Sequence, residues 1–215
     1  MRLGTYGNWN VHTAYSYNLI TGPATTPISL VEVKDFLRLD TADTLEDAFL
    51  TLLIEAAVDF VEKYTGREMI NKTFKTYRQS FNESTEVRRS KLQSITSINY
   101  YDSTEALVTV SGAVYAHTDA SDYSRIYVQA NQSWPSTGLS GRLNPVEITF
   151  VAGYGPSAAD VPAALRRGML EHVLYLYENR GDCGGCSHDG ASIPGNVKLI
   201  YNQYKIVNIN GNEMV

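Results

Sequence analysis

Cys183-Gly184-Gly185-Cys186-Ser187-His188 carries the residues whose chemistry is easiest to name, because two thiolates two residues apart and a nearby imidazole can be three ligands of a zinc ion. A structural zinc site needs a fourth ligand, and His172, Asp182 or Asp189 supplies one only if this loop folds back. Redox CxxC pairs sit at a helix N-terminus, which lowers the thiol pKa, whereas this pair follows a helix C-terminus, where the dipole acts in the opposite sense. A plain glycine-rich loop is the simpler reading, with Cys183, Cys186 and His188 kept as the metal candidates. Gly153-Tyr154-Gly155-Pro156 lies between a strand pattern and a helix pattern, yet it has neither the third glycine of a dinucleotide turn nor a GK[ST] sequence, so it reads as a tight turn. His12, His117, His172 and His188 are scattered, with no HExxH or GxSxG spacing to bring a nucleophile and a base together. No catalytic residue and no cofactor is expected. Glu55, Asp59 and Glu62 could pair carboxylates for a metal or for acid and base work, but an amphipathic helix needs such a charged face, and Lys63 is placed to pair with Asp59. Arg88, Arg89 and Lys91 are too few for a nucleic-acid patch. Trp134-Pro135 either packs beneath its own loop or anchors a partner.

The elements that hold these groups are legible from periodicity. Ser29 and Glu32 form a capping box, Ile28 can staple onto Val33, and Leu30, Val33 and Leu37 share one face before Asp40-Thr41-Ala42-Asp43 interrupts. Thr44 and Asp47 open a longer helix near 45–65, in which Leu45, Ala48, Phe49, Leu52, Leu53, Ala56, Phe60 and Tyr64 form the apolar side, Glu55, Asp59 and Glu62 the solvent side, and Gly66 a left-handed cap. From 68 to 152 the period changes to two, at Tyr77, Gln79 and Phe81, at Ile98 and Tyr100, at Ile126 and Val128, and at Val146, Ile148 and Phe150, which predicts short antiparallel strands. A helix near 161–180 follows, with Asp160 and Pro162 at its start, Leu165, Met169, Val173 and Leu176 on its apolar face, and Arg180 and Gly181 at its end. Val197, Leu199, Ile200 and Tyr204 make a short final helix or an extended tail. The fold class is therefore α+β: an extended arm over 1–27, a helical core over 28–66 plus 153–201, an inserted small antiparallel β domain over 67–152, and a tail over 202–215. The arm's tyrosines and Trp9 imply that it lies on its own domain or on a neighbour.

Over 215 residues, 18 Lys+Arg against 23 Asp+Glu give a net charge of −5, which removes the basic footprint of sequence-independent nucleic-acid binding. No window approaches the roughly 18 apolar residues that cross a bilayer, the first residues lack the apolar run of an export signal, and two cysteines do not make a disulfide framework, so no membrane partner is expected. Fifteen tyrosines suit half-buried sheets and protein interfaces.

Pro27-Ile28-Ser29-Leu30-Val31-Glu32-Val33-Lys34, leading to Leu37-Arg38-Leu39-Asp40, then Glu46-Asp47, Leu53-Ile54-Glu55-Ala56-Ala57 and Glu62-Lys63-Tyr64-Thr65-Gly66-Arg67, resembles the head-tail connector (adaptor) proteins of long-tailed bacteriophages. The same order continues through Leu92-Gln93-Ser94-Ile95, Asn99-Tyr100-Tyr101-Asp102, Ser133-Trp134-Pro135, Ile148-Thr149-Phe150-Val151, Val161-Pro162 and Leu176-Tyr177-Glu178-Asn179-Arg180. The resemblance implies a structural, non-catalytic subunit of a ring of twelve copies in the virion neck, assembled in the host cytoplasm. Its partners would be the capsid portal, a stopper or tail protein, and its own copies, with DNA passing through the lumen. By position, the portal contact would involve Val197, Leu199, Ile200, Tyr201, Tyr204, Lys205 and Ile206, with Trp134 as a further partner-binding candidate. The arm before Pro27 and the loop from Cys183 to His188 depart from the family pattern. Three other readings remain: a neighbouring stopper or tail-completion protein, a metal-dependent enzyme using Cys183, Cys186 and His188, and a carbohydrate- or peptide-binding module using Trp134.

Overall fold

The computed structural model describes residues 17–89, 91–119, 123–135, 138–180 and 193–206. In chain order these form strand β1 (Tyr17–Thr21), helices α1 (Leu30–Leu37) and α2 (Asp47–Thr65), strands β2 (Lys72–Arg78), β3 (Ser84–Val87), β4 (Leu92–Tyr101), β5 (Leu107–Thr109), β6 (Tyr115–Thr118), β7 (Ser124–Val128) and β8 (Val146–Ala152), a 3₁₀ turn (Ala158–Asp160), and helices α3 (Ala163–Glu178) and α4 (Gly195–Asn202). Helices and antiparallel sheets together make the expected α+β fold.

The capping box forms as read: the Glu32 backbone N–H donates to Ser29 Oγ at 3.2 Å, and the Ser29 N–H donates to the Glu32 carboxylate at 2.7 Å. It starts α1 so that Ile28 and Val33 are both fully buried. On the same helix Lys34 is buried, and its ammonium donates to the carbonyls of Thr41 at 3.3 Å and Asp43 at 2.6 Å and meets Asp47 Oδ1 at 2.5 Å. One lysine thereby closes the 40–46 loop and sets the start of α2 against α1.

Helix α2 differs from its sequence reading in which side it buries. It begins at Asp47, with no side-chain cap, and Leu45 (90% exposed) and Leu52 (59% exposed) project into solvent. The buried stripe is Leu50, Leu53, Ile54, Ala57 and Val61, and Glu62, expected on the solvent side, falls at its edge and is buried. The reason is tertiary: α1, α3 and α4 all pack on α2, so its buried arc is wider than, and rotated from, the one that two-sided amphipathicity suggests. Gly66 does provide the left-handed cap, at φ 72°. At the start of α3 the cap is Pro162, while Asp160 closes the preceding 3₁₀ turn with Ser157, and α3 stops at Glu178 with Asn179 as its cap.

The strands form a five-stranded sheet in the order β1-β2-β8-β4-β5 and a three-stranded sheet in the order β3-β7-β6, all pairs antiparallel. Strand β8 lies between β2 and β4, with Phe74 opposite Phe150 and Ile98 opposite Ile148. Their inward side chains join Val87, Leu92, Val110 and Ile126 in one buried apolar cluster, separate from the helical cluster of Leu50, Ile54, Val61, Leu165, Met169, Val173 and Tyr201. Residues 17–21 belong to the sheet as β1, although five residues at the end of an aperiodic stretch were too short to show a period.

The two clusters meet at a buried charge network. Lys72 on β2 donates to Glu62 of α2 and to Glu68 at 2.7 Å, Arg89 pairs with Glu68 at 2.6 Å, and the Met69 N–H donates to Glu62 at 3.0 Å. Burial, and then the charge of Glu68, push the Glu62 carboxyl above its ordinary pKa. Replacing Lys34 with alanine leaves Asp47 and two carbonyls without their buried cation, and the expected loss is about 3 kcal/mol, read as a lower urea midpoint at unchanged slope.

Candidate functional site

Helix α4 carries four of the eight sequence-derived partner residues and three more follow it directly, and the structure divides them. Val197 and Tyr201 are fully buried and Ile206 nearly so, while Leu199 is 67% exposed, Ile200 and Tyr204 are half-buried and Lys205 is exposed. The outward face of α4 therefore offers Lys198 and Leu199. Its position is held from α2: Tyr64 Oη donates to Asn202 at 2.6 Å, Arg67 Nε donates to the Tyr204 carbonyl at 2.6 Å, and the Ile206 N–H donates to the Thr65 carbonyl at 2.9 Å.

Tyr201 seats its ring against α3. A Cβ on Gly168 of α3 would lie 2.9 Å from its ring, so only glycine lets the ring seat there. Around it stand Phe60 (6.4 Å between ring centroids), Tyr64 (6.2 Å) and His172 (6.2 Å), and Phe60 meets His172 edge-on at 5.1 Å. Burial in this aromatic box lowers the His172 pKa from 6.5 to about 4 and raises that of Tyr201, the latter with help from Glu171. His172 thus packs the core as a neutral ring. Between these two values the unfolded chain binds the proton and the folded chain does not, so this part of the stability is full above about pH 6.5 and falls as pH drops toward 4, by up to about 3 kcal/mol. His172→Phe should flatten that part of the acid limb, seen by comparing urea titrations of the two proteins at pH 7 and pH 5.

Trp134 stacks on Phe81 (4.9 Å, 12°), faces Tyr115 at 6.5 Å and donates its indole N–H to the Asn82 carbonyl at 2.8 Å, so it packs half-buried against the segment after β2 and against β6. Glu55 and Asp59, on the other side of α2, line an open groove of about 470 Å³ with residues 23–27, Val58, Ile70, Glu62 and Lys72. Asp59 also pairs with Lys63 at 2.6 Å. His117 lies on β6, and Asp119 accepts from Ser124, whose Oγ in turn accepts from the Leu92 N–H at 3.0 Å. The turn at Gly153 is structural: its φ is 151°, a Cβ there would stand 2.7 Å from the Asn71 backbone, and the Asn71 N–H donates to the Gly155 carbonyl at 2.9 Å. Cys183, Cys186 and His188 lie outside the described residues. Among the described residues no three His, Cys, Asp or Glu side chains gather as metal ligands. Sequence reading missed the apolar side chains that the helices leave in solvent, Val31 and Phe36 on α1, Leu45, and Leu52 on α2. A helical wheel for α2 centred on Leu50, Ile54 and Val61 would have separated Leu52 from the core.

Leucines project into solvent on α4, on α2 and in the loop before α2. Residues 27–129 match the model of the phage gp6-like head-tail connector protein family. Three solved structures share the fold: the neck of an empty gene transfer agent (GTA) particle computed with C6 symmetry (TM-score 0.74, 23% identity, 92% of this chain and 98% of that one), the virion of a native GTA particle (0.73, 23%, 91% and 98%), and the neck of a native GTA particle computed with C12 symmetry (0.66, 21%, 92% and 98%). No curated protein sequence matches the chain.

Proposed function

We propose that this chain is a structural subunit of the head-tail neck of a virion, forming a ring of twelve copies that docks on the capsid portal and joins head to tail while DNA passes through. The observation that carries this reading is the connector-family match over residues 27–129, continued as a shared fold across 92% of the chain with a protein of a particle neck. Computation of those necks with C6 and C12 symmetry supports a ring. No catalytic step is needed for this role. An excess of five negative charges suits a lumen that must let DNA slide rather than hold it. The outward face of α4, with Leu199 at its centre, is the portal contact in this reading, since Val197 and Tyr201 are committed to the core.

Deleting the tail would open the aromatic box, so a surface substitution is the cleaner test. Purified protein mixed with the cognate portal should decorate it in negative-stain electron micrographs. Leu199→Asp should lower decoration about tenfold with an unchanged circular dichroism spectrum, as expected for loss of an interface anchor. Bare portals with the unaltered protein would shift the reading to the neighbouring stopper.

A further inference from the structure

Strand β1 is an edge that nothing in the described chain protects. It pairs with β2 along one side and, among the described residues, with no strand along the other. Its sequence, Tyr-Asn-Leu-Ile-Thr, has no charge and no proline, and a register shift occurs only at its end, between Leu19 and Thr21. Leu19 stands opposite Phe74 on the core face of the sheet yet is 54% exposed, and Ile20, on the other face, is 56% exposed. Of the other edges, β5 is three residues long, β3 carries Glu86, which pairs with Arg125 at 3.3 Å and Arg88 at 3.6 Å, and β6 is four residues long and packs near β4 of the other sheet. Tyr17 is anchored, its ring edge-on to Phe150 at 5.9 Å and its hydroxyl accepting from the Arg88 N–H at 3.0 Å, so the open edge is held rigidly in place. An uncharged apolar edge of this kind is a template for an added strand.

We propose that this edge is covered by residues 1–16 of a second copy of the chain, so that adjacent subunits of the ring are joined by strand addition. The chain before Tyr17 is poorly placed to cover its own edge. Residues 11–16 contain no Gly, Asn, Asp or Pro to make a turn, and a hairpin centred on Gly7-Asn8 would pair residue 14 with residue 1, leaving 18–21 bare. Reach favours the neighbour: 16 extended residues span about 53 Å, against a diameter of about 44 Å for a compact chain of 215 residues. Composition agrees, since residues 3–16 have no Asp, Glu, Lys or Arg and include Leu3, Tyr6, Trp9, Val11 and Tyr15 to meet Leu19 and Ile20.

This inference rests on the ring reading, and the test separates the two. Full-length protein with the photo-crosslinker p-benzoylphenylalanine at position 20 is prepared in ¹⁴N and ¹⁵N forms, mixed, assembled with portal, imaged, irradiated and mapped by mass spectrometry. Mixed-isotope products joining position 20 to residues 1–16 are expected, and Leu19→Lys with Ile20→Lys, both at exposed positions, should reduce ring formation at least about tenfold while the thermal midpoint stays put. Rings whose position 20 links only to residues 1–16 of its own chain, to portal, or to nothing would overturn the arm exchange and leave the ring reading standing. Absence of both rings and mixed products would overturn both.

Discussion

Lys72 is the point at which the helices and the sheets are made into one body. Its ammonium sits between Glu62 of α2 and Glu68, with Arg89, which also lies over the Phe74 ring, completing the set. Each of these groups costs several kcal/mol to bring out of water, and removing one member strands the others. A loose geometry could not offset that cost, so the network holds α2 and β2 at one angle. The rest of the structure is hung from those two elements: α3 and α4 pack on α2, and β8 and β1 pair with β2.

A connector in a virion neck must transmit position, and this architecture does so by rigid parts. Helix α4 is seated by a ring against a glycine, Tyr201 on Gly168, and by three hydrogen bonds from the end of α2. The proposed portal face and the open edge of β1 are therefore held by the same two elements that share the buried network. Contacts made at one end of the subunit are fixed in orientation with respect to those at the other, which is what ring closure with heterologous surfaces demands.

Much of this was legible in local chemistry. The capping box at Ser29 and Glu32, the left-handed cap at Gly66, the change of period after residue 68 and the tight turn at Gly153 depend on neighbours within a few residues, so spacing alone reveals them. What could not be read was which polar group would be buried. Glu62 looks like one more solvated carboxylate of α2, and only the arrival of Lys72 makes its burial tolerable. His172 is likewise an ordinary helix histidine until Phe60 and Tyr201 close over it.

Short-range periodicity and capping carry the α+β class and the helix boundaries to within a few residues, and an ordered series of short motifs carries the resemblance to connector proteins. Tertiary structure alone decided that β8 runs between β2 and β4, that residues 17–21 join the sheet, that the buried arc of α2 is turned away from Leu45 and Leu52, and that Val197 and Tyr201 serve the core while Leu199 faces outward. Those outcomes depend on which distant surfaces meet, and an amphipathic period records only that a face must be covered, not by what.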